Sequence, residues 1–249
     1  MEHTSKIIEL NEHDLIQSIQ SNTISVCVIG IGRIGLPTAL SFANSGISTI
    51  GVDINSEIVE MINSKIFPLK DEPGYDVIFD KVINEKKFRA TTNFSEGVNS
   101  SDVIVLSLPT PMNDQNIPDY SALLSVAKRL HDEMFNGKLI IIESTVEPGF
   151  VETDFLKILE GNDEKLKLGK NFSLGVCPET ANPGQILNDF ERLPRLVGAM
   201  DESTQNLIIK IYKHVFTVDL LPMPDCKTAN AVKLTTNVFR DLNIAFVNE

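Results

Sequence analysis

The segment VCVIGIGRIGLPTALSFANSG constrains the fold of this chain more than any other stretch. An apolar, β-branched run ends at Gly30, and Gly30, Gly32 and Gly35 have the G-x-G-x-x-G spacing that leads directly into a helical pattern. Glycines at these positions permit a tight turn, so that free N–H groups at the start of the helix can hold a pyrophosphate. The segment therefore predicts a strand, a phosphate-binding turn and a helix in succession.

An acidic residue at the end of the next apolar run extends this pattern. Asp53 directly follows STIGV, and a carboxylate there accepts hydrogen bonds from both ribose hydroxyls of an adenosine and repels a 2′-phosphate. We therefore expect NAD rather than NADP as the cofactor. The alternative is a glycine turn that binds nothing. Arg33, inside the turn, either contacts the pyrophosphate or points into solvent.

Apolar runs alternate with helical patterns along most of the chain. The runs predict strands at 24–30, 48–52, 102–108, 138–144, 172–176 and 215–220. The helical patterns predict helices near 34–45, 55–65, 75–84, 120–135, 150–160 and 202–214. Runs that are apolar on both faces are typical of a parallel sheet covered by helices on each side.

These patterns predict an α/β fold with a Rossmann-like, doubly wound and mostly parallel sheet. We expect this NAD-binding domain to span residues 24–225. An N-terminal extension over residues 1–23, with one short helix, precedes it, and the start of a long central helix over residues 226–249 follows it.

Three of the predicted strands end in segments that carry chemistry: LSLPTP, IIESTVEPG and GVCPETANPG. Each segment alone is more typical of an ordinary loop. In an open α/β sheet, however, ligands lie beyond the carboxyl ends of the strands, where these segments and the glycine turn meet. We therefore expect a cleft at this edge, with candidate residues Pro109, Thr110, Glu143, Thr145 and Glu179.

The last helical stretch, AVKLTTNVFRDLNIAFVNE, presents a polar and an apolar stripe. Lys233 and Asn237 share a face because they are four residues apart. They form either a solvated stripe or a pair that holds a substrate oxygen and stabilises its charge as it becomes an alkoxide. The apolar stripe, which includes Phe239 and Leu242, predicts pairing with a second copy of the chain.

Composition excludes several classes of partner. The chain has 22 basic and 34 acidic residues, a net charge of -12, and no basic block, so nucleic acid and anionic membranes are poor partners. Its three cysteines lack a close pair, which indicates reduced thiols and a cytoplasmic location. The apolar runs are too short for a membrane span, and the four histidines are too scattered for a metal site.

Taken together, the motifs resemble the nucleotide-diphospho-sugar 6-dehydrogenases. GIGRIGLPTA, VDIN, DEPG, LPTP, ESTVEPG, CPE with NPG, RLVG and KLTTNVFRDLNIAFVNE occur in the order and spacing of that family, and they are most similar to its UDP-N-acetylmannosamine branch. The resemblance implies two NAD-dependent hydride transfers that convert a sugar C6 alcohol into a carboxylate through an aldehyde held on a cysteine. It also implies a UDP-sugar substrate and a homodimer formed through the final helix.

The resemblance further implies roles for individual residues. Those expected to bind NAD are Gly30, Gly32, Arg33, Ile34, Gly35, Asp53, Pro109, Thr110, Thr145 and Glu179. Those expected to be catalytic are Glu179, Lys233 and Asn237, and those expected to contact the sugar substrate are Lys233, Asn237, Arg240 and Asn243. Thr180 and Phe150 depart from the branch pattern, so the resemblance does not fix which sugar is bound.

In this family the nucleophilic cysteine lies in a second, C-terminal sugar-nucleotide domain, and the resemblance leads us to expect that domain to be absent from this sequence. Cys27, Cys177 and Cys226 do not match its position. We therefore expect the N-terminal half of such an enzyme, which binds NAD but turns over little or no UDP-sugar alone. Two alternatives stay open: a two-electron NAD dehydrogenase of the hydroxyacid type, and a non-catalytic dinucleotide-binding module.

Overall fold

The computed structural model describes residues 7–163 and 165–248. Within these residues the strands form one sheet in the order β3-β2-β1-β4-β5-β6-β7-β8, parallel throughout except between β6 and β7. The strands are β1 (Ser25–Ile29), β2 (Ser48–Val52), β3 (Phe88–Thr91), β4 (Val103–Leu106), β5 (Lys138–Ile142), β6 (Phe172–Val176), β7 (Arg195–Ala199) and β8 (Leu220–Pro222).

Helices cover both faces of this sheet. They are α1 (Glu12–Gln20), α2 (Gly35–Asn44), α3 (Ser56–Asn63), α4 (Tyr75–Asn84), α5 (Phe94–Asn99), α6 (Ser121–Glu133), α7 (Leu156–Glu160), α8 (Ile186–Arg192), α9 (Glu202–Val215) and α10 (Cys226–Asn248). A 3-10 turn at Ile7–Glu9 precedes α1, and a π-helical segment at Val151–Phe155 runs into α7.

The predicted fold class is confirmed, and burial explains why the strands have continuous apolar runs. In β1, Val26 and Val28 belong to the core cluster that α2, α4 and α9 cover. Cys27 and Ile29, which alternate with them, belong to the cluster under α5, α6 and α7. Because each face of the sheet is buried, neither set of positions can be polar.

One predicted strand was wrong. The run at 215–220 begins with the last residue of α9, and β8 starts only at Leu220. The physical reason is that the Phe216 N–H still bonds to the Tyr212 carbonyl while its ring packs edge-on against Phe42 and Phe190. The apolar character of this run therefore belongs to a helix end and an aromatic cluster.

Two strands and two helices were absent from the predictions. Strand β3 is short and alternates buried with exposed residues, and β7 begins with a buried arginine, Arg195. Helices α5 and α8 have only six and seven residues. The domain boundaries at residues 23 and 225 stay predictions.

The final helix, α10, packs against the domain at its start and projects from it farther along. Its first turns are buried at Cys226, Ala229 and Lys233, where the helix packs against β7 and β6. Farther on, Phe239 and Phe246 are 69% and 83% exposed. Among the residues that the structure describes, no helix is long and apolar enough to cross a membrane.

Candidate active site

A cleft of about 680 Å³ lies along the carboxyl ends of β2, β1, β4, β5 and β6. This volume is in the range of ordinary ligand pockets. Most of the predicted cofactor-binding residues line it, namely Gly30, Gly32, Arg33, Ile34, Asp53, Pro109, Thr110, Thr145 and Glu179. The predicted convergence of these separate strand ends on one cleft is therefore observed.

The glycine turn is built by two close backbone contacts. Gly30 has a φ of +87°, and a Cβ there would lie 2.6 Å from the Ser107 carbonyl oxygen. A Cβ at Gly35 would lie 1.8 Å from the Gly30 carbonyl oxygen, whereas a Cβ at Gly32 would meet nothing within 4 Å. Gly30 and Gly35 therefore permit the turn itself, and Gly32 leaves open space beside the cleft.

Helix α2 begins at this turn without a side-chain cap, since the preceding residue, Ile34, offers no capping oxygen. By contrast, Asn55 caps the next helix, α3, by accepting from two backbone N–H groups. The Leu36 N–H donates to the Gly32 carbonyl at 3.1 Å and Pro37 has no N–H, so the N–H groups left for an anion are those of the glycine turn up to Gly35. The helix dipole favours negative charge at this position. This arrangement fits the pyrophosphate of a dinucleotide.

Asp53 lies at the β2 end of the cleft in a fixed orientation. One carboxylate oxygen accepts from the Ile31 N–H and the other from the Asn55 N–H, each at 2.9 Å. Each oxygen keeps a free lone pair, so the carboxylate can accept two further hydrogen bonds. Asp53 can therefore hold the two ribose hydroxyls of an adenosine.

Arg33 extends over the cleft edge towards the DEPG segment. Its guanidinium forms an ion pair with Asp71 and lies 3.9 Å from a carboxylate oxygen of the buried Glu72. The hydrogen bond with Arg33 lowers the pKa of the Asp71 carboxyl. Because the Arg33 side chain is half exposed, it can still reach a ligand, and contact with the pyrophosphate stays a prediction.

The ends of β4 and β5 are joined to each other. The Thr110 hydroxyl donates to the Thr145 carbonyl at 2.8 Å, and the Leu108 N–H donates to the Ser144 hydroxyl at 2.8 Å. Pro109 fixes the backbone between these bonds. The result is a rigid wall on the side of the cleft opposite Asp53.

A buried group of charges stands behind this wall. Glu143 accepts from the Tyr212 hydroxyl at 2.9 Å and from the Thr38 hydroxyl at 3.0 Å, and lies 3.4 Å from the Arg195 guanidinium. The same guanidinium nitrogen, Nη1, lies 2.5 Å from a carboxylate oxygen of Glu179. Burial raises the pKa of Glu143 to about 7, because removal from water disfavours the charged form, while Arg195 acts in the opposite direction.

Sequence reasoning missed three of these residues: Thr38, Arg195 and Tyr212. A signal was available for Arg195, since it is a charged residue that opens the apolar run RLVGA. Its guanidinium lies over the Phe216 ring at 3.9 Å and the Phe190 ring at 4.3 Å, so it is enclosed by aromatic faces and carboxylates. Thr38 and Tyr212 lie within helices and carry no such signal.

Glu179 is held by hydrogen bonds at one carboxylate oxygen, while the other lies in an ion pair with Arg195 and has no hydrogen-bond partner among the described residues. One oxygen accepts from the Thr180 N–H at 2.6 Å and the Ala181 N–H at 2.7 Å, and the other faces Arg195. Thr180, which departs from the family pattern, therefore contributes its backbone N–H to this turn. Phe150, the other departure, packs against Tyr120 at 4.3 Å between ring centroids and does not line the cleft.

The predicted pair on α10 is formed, although it does not line the cleft. Lys233 is 6% exposed, and its ammonium donates to the Asn237 amide oxygen at 3.4 Å. Burial lowers the pKa of Lys233, and the nearby charge of Glu179 partly opposes this. Lys233 thus lies within electrostatic range of Glu179.

The other two predicted substrate residues lie farther out. Arg240 donates to the Asn182 side-chain oxygen at 2.7 Å, which ties α10 to the loop after Glu179. Asn243 is exposed and donates to the Phe239 carbonyl one turn earlier. The structure thus brings Lys233, Asn237 and Arg240 towards the Glu179 loop but does not bring Asn243 there. The roles of all four stay predictions.

Comparison with known proteins identifies the family of this chain. Residues 24–216 match the NAD binding domain of the UDP-glucose/GDP-mannose dehydrogenase family. The chain belongs to this family. The predicted family and the predicted cofactor, NAD, are both confirmed, whereas the contacts of individual residues with NAD stay predictions.

Similar proteins include UDP-N-acetyl-D-mannosamine dehydrogenase of Campylobacter jejuni, which is 36% identical over 90% of this chain and 55% of its own length. The NDP-N-acetyl-D-galactosaminuronic acid dehydrogenase of Ralstonia solanacearum is 31% identical over 94% of this chain and 55% of its own. The structure of the UDP-N-acetyl-D-mannosamine dehydrogenase of Pyrococcus horikoshii has a TM-score of 0.84 at 35% identity, over 90% of this chain and 52% of its own. The chain therefore spans about half the length of the curated relatives it matches.

Proposed function

We propose that this chain is the NAD-binding half of a UDP-sugar 6-dehydrogenase of the UDP-N-acetylmannosamine type. In the complete enzyme, the sugar C6 alcohol is oxidised to a carboxylate with two NAD. The observation that carries the proposal is that Glu179 lines the end of the cleft farthest from Asp53 and interacts electrostatically with the buried Lys233 of α10. Glu179 and Lys233 therefore supply a carboxylate and an amine close to the place where the nicotinamide of the cofactor is expected.

Each residue of the cleft has a task in this proposal. Asp53 accepts from the adenosine ribose, and the N–H groups of the glycine turn at the start of α2 hold the pyrophosphate. Thr110 and Thr145 would form the wall beside the nicotinamide of NAD, which would supply the hydride acceptor when bound. A nicotinamide ring packed against that wall would be shielded from water during hydride transfer.

Glu179, Lys233 and Asn237 act on the sugar rather than on the cofactor. The Lys233 ammonium stabilises the negative charge that develops on the C6 oxygen, and the Asn237 amide orients the ammonium. Because burial lowers the pKa of Lys233, this side chain gives up its proton more readily than an exposed lysine, and its neutral amine is then free to act as a base. Glu179, fixed by Arg195 and two N–H groups, is the carboxylate that takes up or returns protons at the reacting centre.

The nucleophilic cysteine is expected from a second domain, because each cysteine in this chain is buried in the NAD-binding half. Burial raises the pKa of all three thiols, which keeps them protonated and unreactive. This supports a chain that binds NAD and has little turnover alone.

A chimaera tests the catalytic proposal. The chain would be joined in frame to the second half of the Campylobacter jejuni relative, and NADH formation would be followed with UDP-N-acetylmannosamine. We expect activity in the chimaera, none in the chain alone, and a loss of about 100-fold or more for Lys233→Met. Lys227→Met, at an exposed position on the same helix, is the matched control. Steady sugar-acid production by the chain alone contradicts the proposal.

We further propose a homodimer in the cytoplasm. The exposed part of α10 presents Phe239, Leu242 and Phe246, each more than 60% exposed, on a helix that projects from the domain. Three unpaired cysteines suit a reducing compartment. Analytical ultracentrifugation of Phe239→Glu with Leu242→Glu should show fewer dimers than the unchanged chain, and an unaltered dimer fraction contradicts this interface.

A further inference from the structure

The buried group formed by Glu143, Arg195 and Glu179 has one more acid than it has guanidinium groups. The Arg195 side chain is 2% exposed and contacts both carboxylates, at 3.4 Å for Glu143 and 2.5 Å for Glu179. The Glu143 side chain is wholly buried. Water screens the charges of such a buried group only weakly. A change of one unit of charge there therefore alters the electrostatic potential in the neighbouring cleft.

This group lies at one end of the cleft. Both Glu143 and Glu179 line the cleft, beside the ends of β5 and β6, whereas Asp53 lies at the end of β2. With the adenosine on Asp53 and the pyrophosphate on the turn after β1, the dinucleotide extends towards β5 and β6. The nicotinamide then lies on the side of the two acids, a placement that rests on the proposed function.

The groups that interact with Glu143 come from several elements. Arg195 comes from β7, Tyr212 from α9 and Thr38 from α2, while Cys177 and Glu179 follow β6. Beyond Glu179, Lys233 adds a positive charge from α10.

Glu143 changes its charge in the neutral range. Burial raises the pKa of Glu143 to about 7, against the opposing effect of Arg195. Burial also raises the pKa of Tyr212 and of Cys177, so the phenol and the thiol stay protonated at neutral pH. Near pH 7, the charge next to the nicotinamide end therefore depends on whether Glu143 is ionised.

We propose that Glu143 sets the preference of this cleft for oxidised over reduced NAD. The nicotinamide ring of NAD⁺ is a cation and the dihydronicotinamide ring of NADH is neutral. The ionised carboxylate attracts the cation and leaves the neutral ring almost unaffected, while the protonated carboxyl discriminates little between them. Glu143 is thus a specificity-determining residue that acts through charge rather than through contact with the sugar.

Linkage fixes the direction of the pH dependence. Because NAD⁺ binds better to the ionised form, its binding lowers the pKa of Glu143 and releases protons. The affinity for NAD⁺ therefore rises as pH rises through about 7, and the affinity for NADH changes much less. The quantity to follow is the ratio of the NADH and NAD⁺ dissociation constants, since general effects on the adenosine half cancel in it.

The experiment measures this ratio on the chain itself between about pH 6 and about pH 8.5, which brackets the ionisation of Glu143. Calorimetric titration gives the NAD⁺ constant, and NADH fluorescence, undisturbed because the chain has no tryptophan, gives the other. We expect the ratio in the unchanged chain to rise about three- to tenfold, the effect of one charge at roughly 10 Å in a partly aqueous cleft.

Three variants separate charge from structure. Glu143→Gln keeps the shape of the side chain and is expected to hold the ratio at its low-pH value at every pH. Tyr212→Phe removes a donor that favours the ionised carboxylate, so the rise in the ratio should persist with its midpoint about one pH unit higher. Asp102→Asn alters a carboxylate bonded to Ser25 at the opposite edge of the sheet and should leave the pH profile unchanged.

Each result has one interpretation. A ratio that does not vary with pH in the unchanged chain, or that varies equally in Glu143→Gln, overturns the inference while NAD binding and the proposed function stand. Failure of both cofactor forms to bind overturns the inference together with the proposed function. A Tyr212→Phe midpoint that moves downward also contradicts the assignment to Glu143.

Discussion

Gly35→Ala is expected to lower the stability of the chain, whereas Gly32→Ala is expected to lower its NAD affinity, although the two glycines lie in the same turn. A Cβ at Gly35 would stand 1.8 Å from the Gly30 carbonyl oxygen, an atom of the backbone that cannot rotate away. A normal contact requires a shift of more than 1 Å between α2 and the end of β1. Such overpacking costs about 3 kcal/mol or more, which lowers the melting temperature by roughly 6–12 °C in a domain of this size.

Gly32→Ala meets nothing within 4 Å in the structure, and Gly32 does not have a positive φ. Its melting temperature should therefore be unchanged or slightly higher, because alanine reduces the entropy of the unfolded chain. The added methyl instead occupies the space through which the backbone approaches the pyrophosphate. We expect a loss of NAD affinity of about tenfold or more.

The assay compares thermal unfolding by circular dichroism with calorimetric titration of NAD⁺ on the same preparations. The reasoning is refuted if Gly35→Ala melts within about 2 °C of the unchanged chain. It is equally refuted if Gly32→Ala is destabilised yet binds NAD⁺ normally. Gly149→Ala is a useful comparison, since that glycine also meets no atom within 4 Å but has a φ of +99° and lies outside the cleft lining.

Three further predictions concern single side chains. Asp53→Ala should weaken NAD binding by about tenfold, because both acceptors for the ribose hydroxyls are lost. It should also narrow the preference for NAD over NADP, because the repulsion of a 2′-phosphate is lost. Calorimetric titration of both cofactors checks this. Because the folded state raises the pKa of Glu143 from 4.5 to about 7, stability should fall as pH rises across that interval, by up to about 3 kcal/mol relative to Glu143→Gln in urea unfolding. A parallel pH dependence of the two proteins would contradict the assignment. Lys138→Met should cost about 1–3 kcal/mol in thermal unfolding, since the buried ammonium donates to the Ser101 and Asn99 carbonyls; an unchanged melting temperature would show that water replaces it.

The sequence predicted the part of the fold in which local pattern and tertiary environment agree. Strands β2 and β6 have the predicted bounds, and α4 likewise, because a doubly buried strand or an amphipathic helix is specified by its own residues. The run at 215–220 was misread because its apolar side chains pack into an aromatic cluster at the end of α9. Apolar character alone does not distinguish these two environments.

The candidate site was predictable where a motif fixes the backbone and unpredictable where a pair forms across the fold. Gly30, Asp53 and Glu179 follow strand ends, so their positions follow from the topology of the sheet. Arg195 and Tyr212 come from β7 and α9, and their contacts with Glu143 join residues 52 and 69 positions apart. Such contacts depend on tertiary packing, which no local pattern encodes.

A crystal structure of the chain with NAD⁺ tests most directly the claim that the cleft holds the dinucleotide across the glycine turn. The account predicts the adenosine ribose on Asp53, the pyrophosphate at the start of α2, and the nicotinamide against Thr110 and Thr145 on the side of Glu143 and Glu179. A cleft without NAD⁺ at saturating concentration, or a dinucleotide bound in the reverse direction, would contradict it.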